Sequence, residues 1–239
     1  MEYRSDVSML PPPPPQPPYP TGGAPFLPPS PKQRWTGRIV GGVLALGVAG
    51  ATAQFLFGDA VDSGLPRAKY ELALPQRLMD DEFVLAQDLS GTEGRKIEDR
   101  TRGTWGAEDI HALVALYDRG DNGTDGTMVV SGVYGRFSHQ DRVRRAMLEG
   151  ATGASRATVA GPAKDVTPPG SDIVASCQVL HDTASDVELA YPACAWADGN
   201  TGAVVVAADL TAEDPADVDL DAAARDTLKI RTEMLRPVG

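Results

Sequence analysis

From Ile39 to Phe57 the chain reads IVGGVLALGVAGATAQFLF, nineteen residues without a charge. At about 1.5 Å per residue this run reaches roughly 28 Å as a helix, close to the roughly 30 Å hydrocarbon layer of a bilayer. Lipid leaves backbone polar groups satisfied only in helices or closed barrels, so the pattern predicts one transmembrane helix over residues 37–58. Lys32, Arg34 and Arg38 precede the run, and Asp59 and Asp62 follow it. Cations mark the cytoplasmic side, which predicts a cytoplasmic N-terminus and an extracytoplasmic C-terminus. Two other readings stay open. Ala51-Thr52-Ala53 fits a signal-peptidase site, and the run can be a buried core helix, although its glycines make it a poor helix former in water. Small residues four apart (Gly37 and Gly41; Ala45, Ala49 and Ala53) permit close helix pairing without fixing an oligomeric state.

After a polar linker at 59–69 the pattern turns globular, and residues 70–239 read as one extracytoplasmic domain. Tyr70–Leu74 alternates as a half-buried strand does, and Pro75 ends it. Residues 76–89 mix a short helix with a strand at Glu82–Gln87, and 90–108, rich in Gly and charge around Trp105, read as a mobile loop. His111–Tyr117 and Thr127–Phe137 are strands joined across Asn122-Gly123 and Asp125-Gly126, both strong turn signals. Ser138 is the expected cap of a helix that Asp141 reinforces, whose apolar face is Val143, Ala146 and Met147, and which stops at Gly150. Further strands are expected near Arg156–Lys164, Asp172–Leu180, Glu188–Ala197 and Ala203–Ala208, the last two joined by Asp198-Gly199-Asn200. Pro215–Leu235 reads as a helix with Leu220, Ala224, Leu228 and Leu235 on one face, acidic at its start and basic at its end. The expected fold class is α+β: a mostly antiparallel sheet covered on one face by two or three helices, preceded by a disordered tail and one transmembrane helix.

Composition sharpens the division. Twelve of the 20 prolines fall within the first 31 residues, so residues 1–36 are expected to be a disordered cytoplasmic tail with polyproline II character. Pro11–Pro18 is either a docking ligand for an aromatic groove or a plain spacer. The formal charge is −11, and from Gly58 onward 18 cations face 31 anions, a net of −13. Nucleic acid is excluded as a general partner, because phosphate contacts need clustered Lys and Arg. Arg outnumbers Lys by 17 to 5, a ratio typical of GC-rich bacterial genomes.

Two phrases stand out, VVSGVYGRF at Val129–Phe137 and CAWADGNTGAVVV at Cys194–Val206. Together they resemble a group of uncharacterised actinobacterial single-pass membrane proteins with a Pro-rich cytoplasmic tail and an extracytoplasmic α+β domain. The resemblance covers roughly residues 110–210 and implies topology and a linked pair of cysteines; it carries no activity. The residues point the same way. Cys177 and Cys194 fall on adjacent strand candidates, 17 apart, on the oxidising side of the expected topology. Two separate buried thiols are the alternative.

No reactive grouping accompanies these features. His111, His139 and His181 fall on different elements without metal-ligand spacing. The nearest approach to a nucleophile elbow, GASRA at Gly153–Ala157, lacks its final glycine, and no phosphate-binding glycine pattern occurs. The loop Asp118–Gly126 carries Asp118, Asp121 and Asp125, but an EF-hand begun at Asp121 would have Gly123 third and Gly132 twelfth. A solvated hairpin is the better reading. The expectation is therefore no catalytic or metal site, no cofactor, and a non-enzymatic domain whose partners are the bilayer and an envelope protein. The rival readings are an envelope hydrolase assembled from dispersed residues, or a signal transducer working through the tail.

Overall fold

The computed structural model describes residue 65 and residues 67–102, 106–120, 123–155, 157–183, 188–209 and 213–238. The expected tail, the expected membrane helix and most of the linker lie outside these, as do Trp105, Asp121 and Asn122. Among the described residues no helix is long and apolar enough to cross a membrane.

The domain is α+β around one antiparallel sheet. Its strands are β2 (Arg77–Leu78), β3 (Phe83–Asp88), β4 (Glu108–Arg119), β5 (Gly126–Arg136), β6 (Thr158–Val159), β7 (Lys164–Val166), β8 (Ala175–Asp182), β9 (Leu189–Ala197) and β10 (Thr201–Asp209). They run in the order β2-β3-β4-β5-β10-β9-β8-β6, with β7 also on β8. A separate ribbon pairs β1 (Tyr70–Leu72) with β11 (Leu235–Pro237), tying together the two ends of the domain. The expected hairpins β4–β5 and β9–β10 both form. The join between them, β5 on β10 from Gly126↔Asp209 to Tyr134↔Thr201, is non-local and fixes the middle of the sheet.

Among the described residues, three α-helices complete the fold: α1 (Arg95–Thr101), α2 (Gln140–Ala154) and α3 (Leu220–Met234). The sheet is covered on both faces, not one. Leu116, Val129, Tyr191, Val204 and Val206 pack with Leu148 and Ala151 of α2. The alternate positions Tyr117, Met128, Val130, Trp196 and Val205 pack with Ile230 and Met234 of α3. Period-two alternation sends successive side chains to opposite faces, so the near-continuous apolar runs of β5 and β10 record two-sided burial.

Several local expectations need correction. Residues 90–108 are not simply a loop: a wide turn at Ser90–Gly94 leads into α1, held because Glu98 Oε1 accepts from the Ala112 amide at 2.8 Å. The N-cap position of helix α2 is held not by Ser138 but by His139, left-handed (φ 61°) and without a side-chain capping hydrogen bond, and the helix continues through Gly150 to Ala154. Its buried stripe is Val143, Leu148, Ala151 and Ala154. Pro215–Asp217 is a separate 3₁₀ turn. Asp219 then caps α3, accepting from the amides of Asp221 and Ala222, and the buried face is Ala224, Thr227, Ile230 and Met234. Leu220 and Leu228 are only half-buried, and Leu235 lies beyond the helix in β11.

Candidate functional site

Where α3 crosses its face of the sheet, it leaves a cleft of about 480 Å³. The floor is apolar: Met128 of β5, Pro192 and Cys194 of β9, and Val205 and Ala207 of β10. Ala222, Ala223, Asp226, Thr227 and Ile230 of α3 form one wall, with Asp217, Val218 and Asp219 before them. Met79, Glu82, Phe83 and Arg119 form the opposite lip.

That lip is built with strain. Met79, Asp80 and Asp81 have consecutive φ values of 57°, 57° and 71°. Left-handed backbone costs an L-residue roughly 1–2 kcal/mol each, so the turn needs outside support. Helix α3 supplies it: Glu233 Oε2 accepts from the Met79 amide at 2.8 Å, and Lys229 Nζ reaches Asp80 at 2.5 Å. The helix thus holds both sides of the cleft in register.

Arg119 closes one end of the cleft. Its Nη1 donates to Glu82 at 3.1 Å, its Nη2 to Asp209 at 3.1 Å, and Nε and Nη2 to the Asp125 carbonyl. The guanidinium also lies over the Phe83 ring, 5.8 Å from its centroid. One side chain thereby links β3, β4, the β4–β5 turn and β10. The crossing requires Gly126, whose φ is +147° and whose added Cβ would lie 2.8 Å from the Ala208 carbonyl oxygen and 3.5 Å from Arg119 Nε.

Charge around the cleft is mostly negative, with Glu82, Asp209, Asp217, Asp219 and Asp226 against Arg119. Desolvation by the cleft walls lifts the Asp226 carboxyl above its ordinary range; neighbouring Arg225 and Lys229 oppose this, while the charge of Glu82 across the cleft adds to it.

The remaining predicted residues are placed as follows. Cys177 of β8 and Cys194 of β9 are direct register partners, 4.1 Å apart at Cα, with sulfurs at disulfide distance. They sit on the α3 face beside Ala224, and Cys194 reaches the cleft floor. His111 stacks on Tyr134 with ring centroids 5.2 Å apart, His139 occupies the N-cap position of α2, and His181 lies 3.7 Å from Glu188. None of the three lines the cleft, whose described lining includes no histidine and no serine. Asp118 and Asp125 remain on the β4–β5 hairpin, and the described residues include no cluster of three potential metal ligands. Burial lifts the Asp118 carboxyl above its usual range.

At the opposite end of β10 sits a second polar cluster. Asp198 Oδ1 accepts from the amides of Asn200 (2.8 Å) and Thr201 (2.7 Å), and Oδ2 from Thr201 Oγ1 (2.9 Å) and Arg231 Nη2 (2.7 Å). Burial pushes this carboxyl up, but the Arg231 hydrogen bond and the other three donors outweigh it and hold Asp198 below its ordinary value. The turn so fixed presents Asn200, which is 7% exposed. Its Oδ1 accepts from the Lys69 amide, and its Nδ2 donates to the carbonyls of Arg67, Gly135 and Gly199. The DGNT turn is therefore where the chain from the linker is fastened to the domain.

Sequence reasoning marked the cysteines and this turn; it missed Arg119 and the whole cleft. No protein-family model matches the chain, and neither a search of curated proteins nor one of solved structures returned a match.

Proposed function

We propose that this chain is a single-pass membrane protein whose extracytoplasmic domain binds a partner in the cell envelope, with the cleft under α3 as its binding surface. The observation that carries the reading is the cleft's build and position. It has an apolar floor, a strained lip held by the same helix that forms its far wall, and a place at the Asp209 end of β10. Asn200 fastens the incoming chain at the Thr201 end, four to eight residues from the cleft lining that runs from Val205 to Asp209. At about 3.3 Å per residue that separation is roughly 13–26 Å. A domain tethered through residues 59–69 would thus hold the cleft away from the bilayer, open to envelope partners. The uncharged Ile39–Phe57 run, with cations before it and acids after, supports the anchor and the orientation. The cysteine pair at bonding distance suits an oxidising compartment. Pockets that bind are typically apolar with a few placed polar groups, and this one has that make-up.

Proximity labelling from a C-terminal fusion in the native cell tests the proposal. Labelled envelope proteins, lost when Ala207→Trp fills the cleft floor, are the expected result. Labelling confined to cytoplasmic proteins would refute it.

A further inference from the structure

The two surfaces of the cleft specify the chemistry of what fits it. Pro192 and Ala207 on the floor, with Met79, Ala222 and Ala223 beside them, are only half-buried and offer apolar surface that rewards an apolar side chain, while Met128 and Val205 beneath are already buried in the core. Above them five carboxylates meet one cation, and that cation, Arg119, is already held by Glu82 and Asp209. Asp219 is engaged on the α3 amides and Glu82 on Arg119, which leaves Asp217 and Asp226 on the α3 side, faced by Glu82 on the lip, as the field an incoming group meets. Arg225 and Lys229 beside Asp226 partly offset its charge, but Glu82 and Asp219 add to the negative field, so a positive charge at the opening is favoured over a neutral or anionic one. Ligands bearing phosphate or carboxylate are repelled by the same field. About 480 Å³ accommodates a few side chains, not a folded domain.

Resting on the binding reading above, we infer that the cleft takes a short cationic segment of a partner polypeptide. One apolar side chain seats against Pro192 and Ala207, and an adjoining Lys or Arg is held by the rim carboxylates of Asp217 and Asp226, with Glu82 opposite. Apolar anchoring supplies affinity, and the rim supplies selection for charge and a faster approach.

The test uses the full chain in zwitterionic nanodiscs, with empty nanodiscs as baseline, and fluorescence anisotropy of a labelled hexapeptide of alternating lysine and leucine. Two control peptides replace lysine by glutamate, or leucine by serine. The lysine–leucine peptide should bind, and both controls should bind at least about tenfold more weakly. Raised salt should weaken binding. The double variant Asp217→Asn, Asp226→Asn, which leaves the Arg119 clamp intact, should lose about fivefold to tenfold. Ala207→Trp should block binding, and an unchanged melting temperature of the double variant guards against misfolding. Equal affinity for the serine peptide, or unaltered affinity in both variants, overturns the inference. If envelope neighbours are lost with Ala207→Trp while the double variant keeps them and the glutamate peptide binds as tightly as the lysine one, the binding-cleft reading stands and its selection for cations alone falls.

Discussion

Replacing Asp198 tests the fastening of the domain to its linker. The carboxylate accepts four hydrogen bonds, one from Arg231, and the two side chains are 20% and 18% exposed. Asp198→Ala leaves the guanidinium of Arg231 without its carboxylate, a change that typically costs about 3–5 kcal/mol when the pair is buried. Partial exposure moves the expectation to the lower end, about 3 kcal/mol. For a domain of this size that is roughly 6–12 °C in melting temperature. Asp198→Asn keeps a neutral acceptor for the backbone amides and should cost about 1–2 kcal/mol. The sign with pH follows from the lowered carboxyl. Its stabilisation is complete above the unfolded value of about 3.9 and is lost as pH falls through the folded one. The gap between wild type and Asp198→Asn should therefore be full at neutral pH and close under strong acid. Because the turn presents Asn200 to the amide of Lys69 and the carbonyl of Arg67, the alanine variant should also be cut faster by trypsin at those two residues. Urea unfolding of the full chain, with limited proteolysis alongside, reads both effects. A loss under about 0.5 kcal/mol, or a gap that widens toward acid, would refute the reasoning.

Three further outcomes follow from the geometry. Reducing the Cys177–Cys194 pair, or replacing both by serine, should destabilise by about 3 kcal/mol; mass spectrometry of alkylated, unreduced protein checks that the bond is present in the native protein. Gly126→Ala sets a Cβ 2.8 Å from the Ala208 carbonyl oxygen at a φ of +147°, and should cost at least about 2 kcal/mol in urea unfolding while loosening Arg119. Tyr117 is fully buried, its hydroxyl donates to the Pro75 carbonyl at 3.0 Å, and burial with nearby Asp88 lifts its phenol far above the ordinary range. Tyr117→Phe should therefore cost about 1 kcal/mol, by the same assay, with no dependence on pH between 7 and about 10.

What was legible in the sequence was local. Alternation and turn residues gave β4, β5, β9 and β10 and both hairpins, because a hairpin's pairing is set by its own turn. The β5–β10 pairing joins residues far apart in the chain and leaves no local mark, so the sheet's centre, and the cleft on it, stayed hidden. The helix faces misled for a different reason. Ala224 is buried as expected, but Leu220 and Leu228 pack only partly buried at the edge of the core, and Thr227, Ile230 and Met234 complete the buried stripe. Helix α1 is seven residues long and is supported by a hydrogen bond that Glu98 accepts from the Ala112 amide of β4, support that propensity cannot report. Arg119 read as part of a turn-rich loop. Its role as a clamp depends on Glu82, in the turn before β3, and Asp209, at the end of β10, arriving from distant parts of the chain.

Protease treatment of intact cells carrying different epitopes at the two ends of the chain bears most directly on the membrane-tethered reading. The account predicts that the C-terminal epitope is removed while the N-terminal epitope survives and sediments with the membrane. Survival of both epitopes in intact cells, or recovery of the whole chain in the soluble fraction, would contradict it.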